Sequence, residues 1–117
     1  MQSNTNNDTT FLPRFDRNFF ESCECFSWIG EGSFGGKASG LALANKIIRE
    51  KFDSNTFPQV ELSIPRIVVL RTEVFDCFME RNKLYEIAYS DKSDDNIILA
   101  FLQADLPTEI LGDLRSL

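Results

Sequence analysis

A glycine-rich segment that ends in a lysine is the part of this chain whose residue types and spacing could do chemistry. Four of the six glycines lie between Gly30 and Gly36, and Lys37 follows directly. Glycine permits backbone conformations and close approaches that side chains forbid. Where such a loop enters a helix, unpaired N–H groups and the positive end of the helix dipole point outwards together. Gly35, Gly36 and Lys37 are therefore candidates for binding a phosphate group, with Lys37 supplying a point charge.

The same residues have a purely structural interpretation, in which the glycines make a tight turn and Lys37 is a solvated surface side chain. Spacing alone favours neither interpretation. The run Gly30-x-Gly32-x-x-Gly35 matches the dinucleotide-binding string, which requires a strand before it and an acidic residue at the tip of a second strand. Residues 21–25 do not have the pattern of a buried strand, so this motif is disfavoured.

Two other phosphate-binding motifs also fit only in part. The protein-kinase glycine-rich loop is the turn of a β-hairpin, whereas residues 38–44 have a helical pattern. The P-loop requires Gly-x-x-x-x-Gly-Lys-[Ser/Thr], and the chain has Glu31 and Ala38 where that motif needs a glycine and a hydroxyl residue. What remains is a generic phosphate site at the start of a helix.

The elements around this loop predict an α+β fold in which helices dominate and strands are few and short. Residues 1–10 are polar and predict a disordered tail, and residues 11–117 predict a single domain or domain fragment. Apolar spacing predicts one strand at 64–70 and helices within 16–24, after the loop, and starting near Thr72, Ser93 and Pro107. A break is expected near Asn82, before residues 84–89. In the helix after the loop, the expected buried stripe is Leu41, Ala44, Ile48 and Phe52.

Composition excludes several classes of function. The net charge of −6 and the lack of any Lys/Arg run oppose nucleic-acid binding, and no apolar stretch approaches the ~18 residues of a membrane span. The N-terminal residues lack the features of a secretory signal, which predicts a cytoplasmic protein. The chain has no histidine, which excludes Ser-His-Asp and Cys-His mechanisms within it, and its three cysteines predict free thiols and no metal site.

The residues from Gly35 onwards resemble a known family. Gly35-Gly36-Lys37-Ala38-Ser39-Gly40-Leu41 is similar to the Gly-Gly-Lys-[Gly/Ala]-x-x-Leu element that opens the nucleotide-binding domain of pyruvate phosphate dikinase and phosphoenolpyruvate synthase. In that family an Ile/Val-Pro pair, a short strand and a helix-starting Thr follow, and Ile64-Pro65, residues 67–70 and Thr72 resemble them in that order. The likeness covers roughly residues 28–80 and extends more loosely to Leu117.

The resemblance implies the first lobe of an ATP-grasp-type domain in an ATP-dependent phosphotransferase that acts on pyruvate or a related acceptor. In that family the lysine of the element contacts an ATP phosphate, which gives Lys37 this expected role beside Gly35 and Gly36. It also implies ATP with Mg²⁺ as cofactors of the full-length parent protein, neither of them held tightly by this piece. Its expected partners are the remaining lobe and the downstream domains, and no catalytic residue or metal ligand is expected here.

The C-terminal residues predict that the chain is a piece of a longer protein. Ile110, Leu111, Leu114 and Leu117 keep helical apolar spacing up to the last residue. Such a face predicts homo-oligomers, and the piece alone is expected to bind ATP weakly or not at all. An alternative is a non-catalytic regulatory or interaction domain that retains the fold. It is favoured by Pro65-Arg66-Ile67-Val68, where the family commonly has Pro-x-Gly-Phe.

Overall fold

A computed structural model describes residues 12–117, and the predicted disordered tail at 1–10 lies outside the described residues. About half of the chain is helical and two strands form a parallel sheet, so the predicted helix-dominated α+β class is confirmed at this level. The elements, in chain order, are a 3₁₀-helix (Arg17–Glu21), β1 (Phe26–Ile29), α1 (Gly35–Lys51), β2 (Ile67–Leu70), α2 (Thr72–Arg81), α3 (Leu84–Ala88), α4 (Asp94–Leu102) and α5 (Thr108–Leu114).

The described residues divide into two compact units. The N-terminal unit contains the described residues up to Trp28 together with Phe34–Val69, and the C-terminal unit contains Ile29–Ser33 and Leu70–Leu117. The glycine-rich segment is thereby divided, because its first part belongs to the C-terminal unit and the start of α1 belongs to the N-terminal unit. The prediction of a single domain over residues 11–117 stays a prediction.

The core of the N-terminal unit forms where α1 packs on the strands. Its buried residues are Leu12, Phe26, Ala42 and Val69, and Ala38 is half-buried against them. Ala38 and Ala42 are four residues apart, so they lie on the same face of α1. Small side chains on that face allow the helix backbone to come close to the sheet, which buries the larger Phe26 and Val69.

The predicted buried stripe of α1 is partly wrong. Ala42 is the buried residue of the helix, whereas Leu41 is exposed and Ala44 and Ile48 are only half-buried. Apolar spacing predicts that the helix buries the face with its larger side chains. In the structure, the face that packs on the sheet is the one with the small side chains Ala38 and Ala42. The larger Leu43 is consequently left exposed to solvent.

The segment before β1 is held to that strand by backbone and side-chain hydrogen bonds. Trp28 Nε1 donates to Leu12 O at 2.8 Å, Phe15 N donates to Trp28 O at 2.8 Å, and Arg14 forms a parallel bridge with Trp28. The helix predicted within 16–24 is the short 3₁₀-helix, which Asp16 caps by accepting from the N–H of Asn18 at 2.7 Å.

The C-terminal unit is a series of short helices in which α2 packs on α3 and α3 packs on α4. Met79, Leu84 and Ile110 are buried, whereas Phe75 is exposed. The predicted break between α2 and α3 is confirmed, and Lys83 there has a left-handed φ of 53°. The Asn82 side chain donates to Phe78 O at 2.8 Å and to Asp105 O at 2.9 Å, which fixes this break.

No helix in the described residues has both the length and the apolar character needed to cross a membrane. The three cysteines are free thiols, as predicted.

We expect the ion pair between α2 and α5 to make stability depend on acidic pH. Arg81 donates two hydrogen bonds to the Glu109 carboxylate, and these bonds lower the pKa of Glu109 from 4.5 to about 2. A lowered folded-state pKa contributes stability above pH 4.5 that is lost as the pH falls towards 2. Glu109→Gln should therefore lower the melting temperature at neutral pH by a small amount, since both side chains are largely exposed.

The melting temperatures of wild type and Glu109→Gln should converge as the pH is lowered. Glu86→Gln, which changes an exposed glutamate on α3, is the matched control and should follow the wild type throughout. A constant difference between wild type and Glu109→Gln across the acidic range would contradict this assignment.

Candidate functional site

The candidate site lies at the end of β1, where residues 30–34 lead directly into α1. The expectation that a helix follows the glycines is confirmed, because α1 begins at Gly35. Residues 21–25 do not form a strand, as predicted, and the short strand β1 at Phe26–Ile29, which was not predicted, precedes the loop. β1 begins after residues 21–25, and its sequence Phe-Ser-Trp-Ile does not show apolar–polar alternation because all four side chains are at least half-buried.

Gly30 and Gly32 are required by packing within the C-terminal unit. Their φ angles are 85° and 94°, in the left-handed region that favours glycine. A Cβ atom on Gly30 would overlap the Val74 side chain, and one on Gly32 would lie 2.5 Å from Thr72 Oγ1 and 2.9 Å from the Glu73 backbone nitrogen. The loop therefore lies directly against the first turn of α2, and these two glycines have a structural explanation.

The loop also satisfies the first N–H groups of α2. Thr72 N donates to Ser33 O at 3.0 Å, and Glu73 N donates to Glu31 O at 3.1 Å. In return, Thr72 Oγ1 accepts from the N–H of Ser33 at 2.9 Å. Thr72 is a residue type favoured at N-caps, but the N-cap of α2 is Arg71 and no side chain caps the helix. The start of α2 is thus occupied by the loop backbone.

Arg71, which directly follows β2, binds the loop through its side chain. Its guanidinium donates to Gly32 O, and its Nη1 atom lies 3.6 Å from Glu31 Oε2. The Arg71 residue is half-buried against the loop. The contact also accounts for Glu31, whose position in a phosphate loop had no explanation from the sequence.

These contacts argue against the dinucleotide-binding interpretation of Gly30-x-Gly32-x-x-Gly35. In that motif the second glycine lets the backbone approach a pyrophosphate, and an acidic residue at the tip of the second strand binds a ribose. Here the space beside Gly32 is filled by Thr72 and Glu73, and the residue that follows β2 is Arg71. The first two glycines of the string therefore serve packing within the C-terminal unit.

Gly35 and Gly36 differ from Gly30 and Gly32 in their surroundings. A Cβ atom on either would have no heavy atom within 4 Å. Gly35 has a φ of 73°, which explains a glycine at that position, but Gly36 does not have a positive φ. Neither backbone strain nor packing in the described part of the chain therefore explains Gly36.

Lys37 is exposed in the first turn of α1, and we find no hydrogen bond or ion pair of its side chain within residues 12–117. Phe34 is the N-cap of α1, and no side chain caps the helix there. The structure thus brings Gly35, Gly36 and Lys37 together at an uncapped helix start. Amide hydrogens, a helix dipole and an ammonium group at one place form an arrangement that attracts anions.

Two surface cavities of ligand size lie elsewhere. One, of about 600 Å³, lies in the C-terminal unit and is lined mainly by apolar side chains, including Val74, Phe75 and Leu106. The other, of about 510 Å³, lies in the N-terminal unit beside Ala42 and Arg49. Neither of these two is lined by Gly35, Gly36 or Lys37, which are exposed.

The described residues contain no group of three or more His, Cys, Asp or Glu side chains placed to hold a metal ion. Cys23 and Cys25 lie near Arg49, whose guanidinium donates to Cys23 O at 3.1 Å and lies 3.8 Å from Cys25 Sγ.

Comparison with known proteins adds no relative. No family model, curated protein or solved structure matches this chain.

We expect Gly32→Ala to destabilise the protein strongly, whereas Gly36→Ala should not. The added methyl group on Gly32 meets Thr72 Oγ1 and the backbone of Glu73, and the residue must keep a φ of 94°. Strain of this kind costs about 1–3 kcal/mol. Urea denaturation measures the free energy of unfolding of both variants. Equal stability of the two variants would show that the loop does not lie against α2 as described.

Proposed function

We propose that the start of α1 binds the phosphate groups of ATP in the N-terminal part of an ATP-dependent phosphotransferase. The parent protein would resemble phosphoenolpyruvate synthase and pyruvate phosphate dikinase, with this chain forming part of the first lobe of an ATP-grasp-type domain. The observation that carries the proposal is the uncapped helix start at which Gly35, Gly36 and Lys37 are all exposed.

Gly36 gives this proposal its sharpest support. An alanine would fit there without a close contact, and alanine is favoured over glycine inside a helix by up to about 1 kcal/mol. Gly40 shares these properties, but Gly36 lies in the first turn, where the N–H groups have no partner within the helix and a ligand can approach the backbone. A phosphate oxygen needs the N–H groups of the first turn to be uncovered, and a methyl group would partly cover them.

The residues present fit the phosphate part of ATP and not the metal. Lys37 and the first amide groups of α1 would bind and orient the phosphate oxygens, and ATP supplies the phosphoryl group when bound. Mg²⁺ would be held by the phosphates and by groups outside residues 12–117, since no metal-ligating cluster is found within them. The acceptor and the catalytic residues are therefore assigned to other parts of the parent protein.

We expect ATP to perturb the backbone amides of residues 35–38 in an NMR titration of the 117-residue chain. With one lysine and a few amide groups as contacts, the affinity should be weak, with a Kd on the order of 1 mM, which corresponds to about −4 kcal/mol. Inorganic tripolyphosphate should perturb the same amides, because the phosphates carry the interaction. Lys37→Ala should reduce the affinity several-fold.

Gly36→Ala and Gly40→Ala form a matched pair for this titration. Both glycines lie in α1, and a Cβ atom on either has no neighbour within 4 Å. Gly36→Ala should weaken ATP binding, and Gly40→Ala, one turn further along the helix, should leave it unchanged. Equal affinity of wild type, Gly36→Ala and Lys37→Ala, or shifts confined to other residues, would refute phosphate binding at this helix start.

A second candidate function is the non-catalytic interaction domain. The observation that favours it is the surface of α4, a helix without any buried residue in the described structure. If the phosphate titration fails while the fold is intact, this candidate becomes the better account of the chain.

A further inference from the structure

The helix α4 presents an exposed apolar surface. Ile98 is 55% exposed, Leu99 is 50% exposed and Leu102 is 78% exposed. The opposite side of the helix packs in the C-terminal unit, where the Phe101 ring lies 6.3 Å from the ring of Phe78. α4 is therefore anchored on one side and apolar on the side that faces solvent, whereas surface helices of globular proteins usually have a polar outer side.

Two acidic residues share this outer side. Asp94 and Asp95 form the first turn of α4, and they precede Ile98 and Leu99 by four residues each. Residues four apart lie on the same face of a helix, so each carboxylate lies one turn from an exposed apolar side chain. We call the set Asp94, Asp95, Ile98, Leu99 and Leu102 the α4 face.

The net negative charge of the chain lies in the C-terminal unit, which contains this face. The C-terminal unit holds 11 of the 18 acidic residues and 5 of the 12 basic ones, so its net charge of −6 equals that of the whole chain. The N-terminal unit is nearly balanced, with 6 acidic and 7 basic residues among its described residues. The sequence of residues 86–105 contains five carboxylates and one basic residue, Lys92. An apolar strip with a negative border is electrostatically complementary to a partner with an apolar strip and a positive border.

We propose that the α4 face binds a basic amphipathic helix. Apolar side chains at i, i+3 or i+4, and i+7 of the partner would cover Ile98, Leu99 and Leu102, and flanking lysines or arginines would meet Asp94 and Asp95. This inference is independent of phosphate binding at Lys37. If the chain serves as an interaction domain, a basic amphipathic helix would be the part of the partner that it binds.

Two other occupants fit the charge less well. Symmetric pairing of two α4 faces would bring two units of net charge −6 together, which costs free energy. The N-terminal residues 1–11 carry an aspartate and no lysine or arginine, so they lack the basic groups that complement the face.

A designed peptide tests the proposal directly. A fluorescent peptide of about 18 residues, built from leucine and lysine with all leucines on one helical face, is titrated with the 117-residue chain. The Leu/Lys peptide should bind, and it should bind more weakly at about 1 M salt, where charges are screened beyond about 3 Å. A scrambled peptide of the same composition and a Leu/Glu peptide with the same pattern should not bind.

Leu102→Lys and Leu43→Lys are the matched variants. Both replace an exposed leucine on a helix, and Leu43 lies on α1, away from the α4 face in sequence. Leu102→Lys should reduce the affinity for the Leu/Lys peptide about tenfold or more, whereas Leu43→Lys should change it less than about twofold. Because Leu102 is largely exposed, the substitution should not affect folding, and circular dichroism and thermal melting verify this.

Three outcomes would overturn the proposal. One is equal binding of the scrambled peptide, which would show that charge alone attracts it. Another is an equal loss in Leu102→Lys and Leu43→Lys, which would show that the peptide does not distinguish the α4 face. The third is a dimer of the chain, detected by light scattering, that Leu102→Lys converts to a monomer, because the face would then bind a second copy.

Discussion

The first amide groups of α2 are satisfied by the loop between β1 and α1, and the arrangement of the candidate region depends on this pairing. A helix start leaves N–H groups without partners, and those of Thr72 and Glu73 donate to carbonyl oxygens of Ser33 and Glu31. Such an approach of one backbone to another leaves no room for a Cβ atom on Gly32. Gly30 and Gly32, which belong to a glycine pattern similar to that of a phosphate-binding loop, therefore have a structural role in packing the loop against α2.

The same constraint separates the glycines by role. Gly30 and Gly32 allow the loop to pack against α2, and Gly35 adopts the positive φ of the turn into α1. Gly36 is required for neither. A sequence motif counts these glycines as equivalent, although the physical demands on them differ. The phosphate proposal therefore depends on the last two glycines and Lys37, which belong to a different compact unit from the first two.

The sequence was sufficient for features that depend on neighbouring residues and insufficient for those that depend on distant ones. The loop that enters a helix, the strand at Ile67–Leu70 and the break after α2 follow from glycine density, β-branched residues and local spacing. The roles of Glu31 and Arg71 could not be predicted, because they are 40 positions apart and meet only in the fold. Similarly, the face of α1 that packs in the core contains Ala38 and Ala42, and such small side chains contribute little to the apolar periodicity of the sequence.

The parallel pairing of β1 with β2 has a consequence for the order of folding. The Ile67 N–H donates to Cys25 O at 2.8 Å, so pairing the two strands closes a loop of 41 intervening residues. Closing so large a loop costs chain entropy before any contact repays it. The consecutive helices α2, α3 and α4, by contrast, make their contacts between near neighbours. The helical segment should consequently form early and the strand pair late.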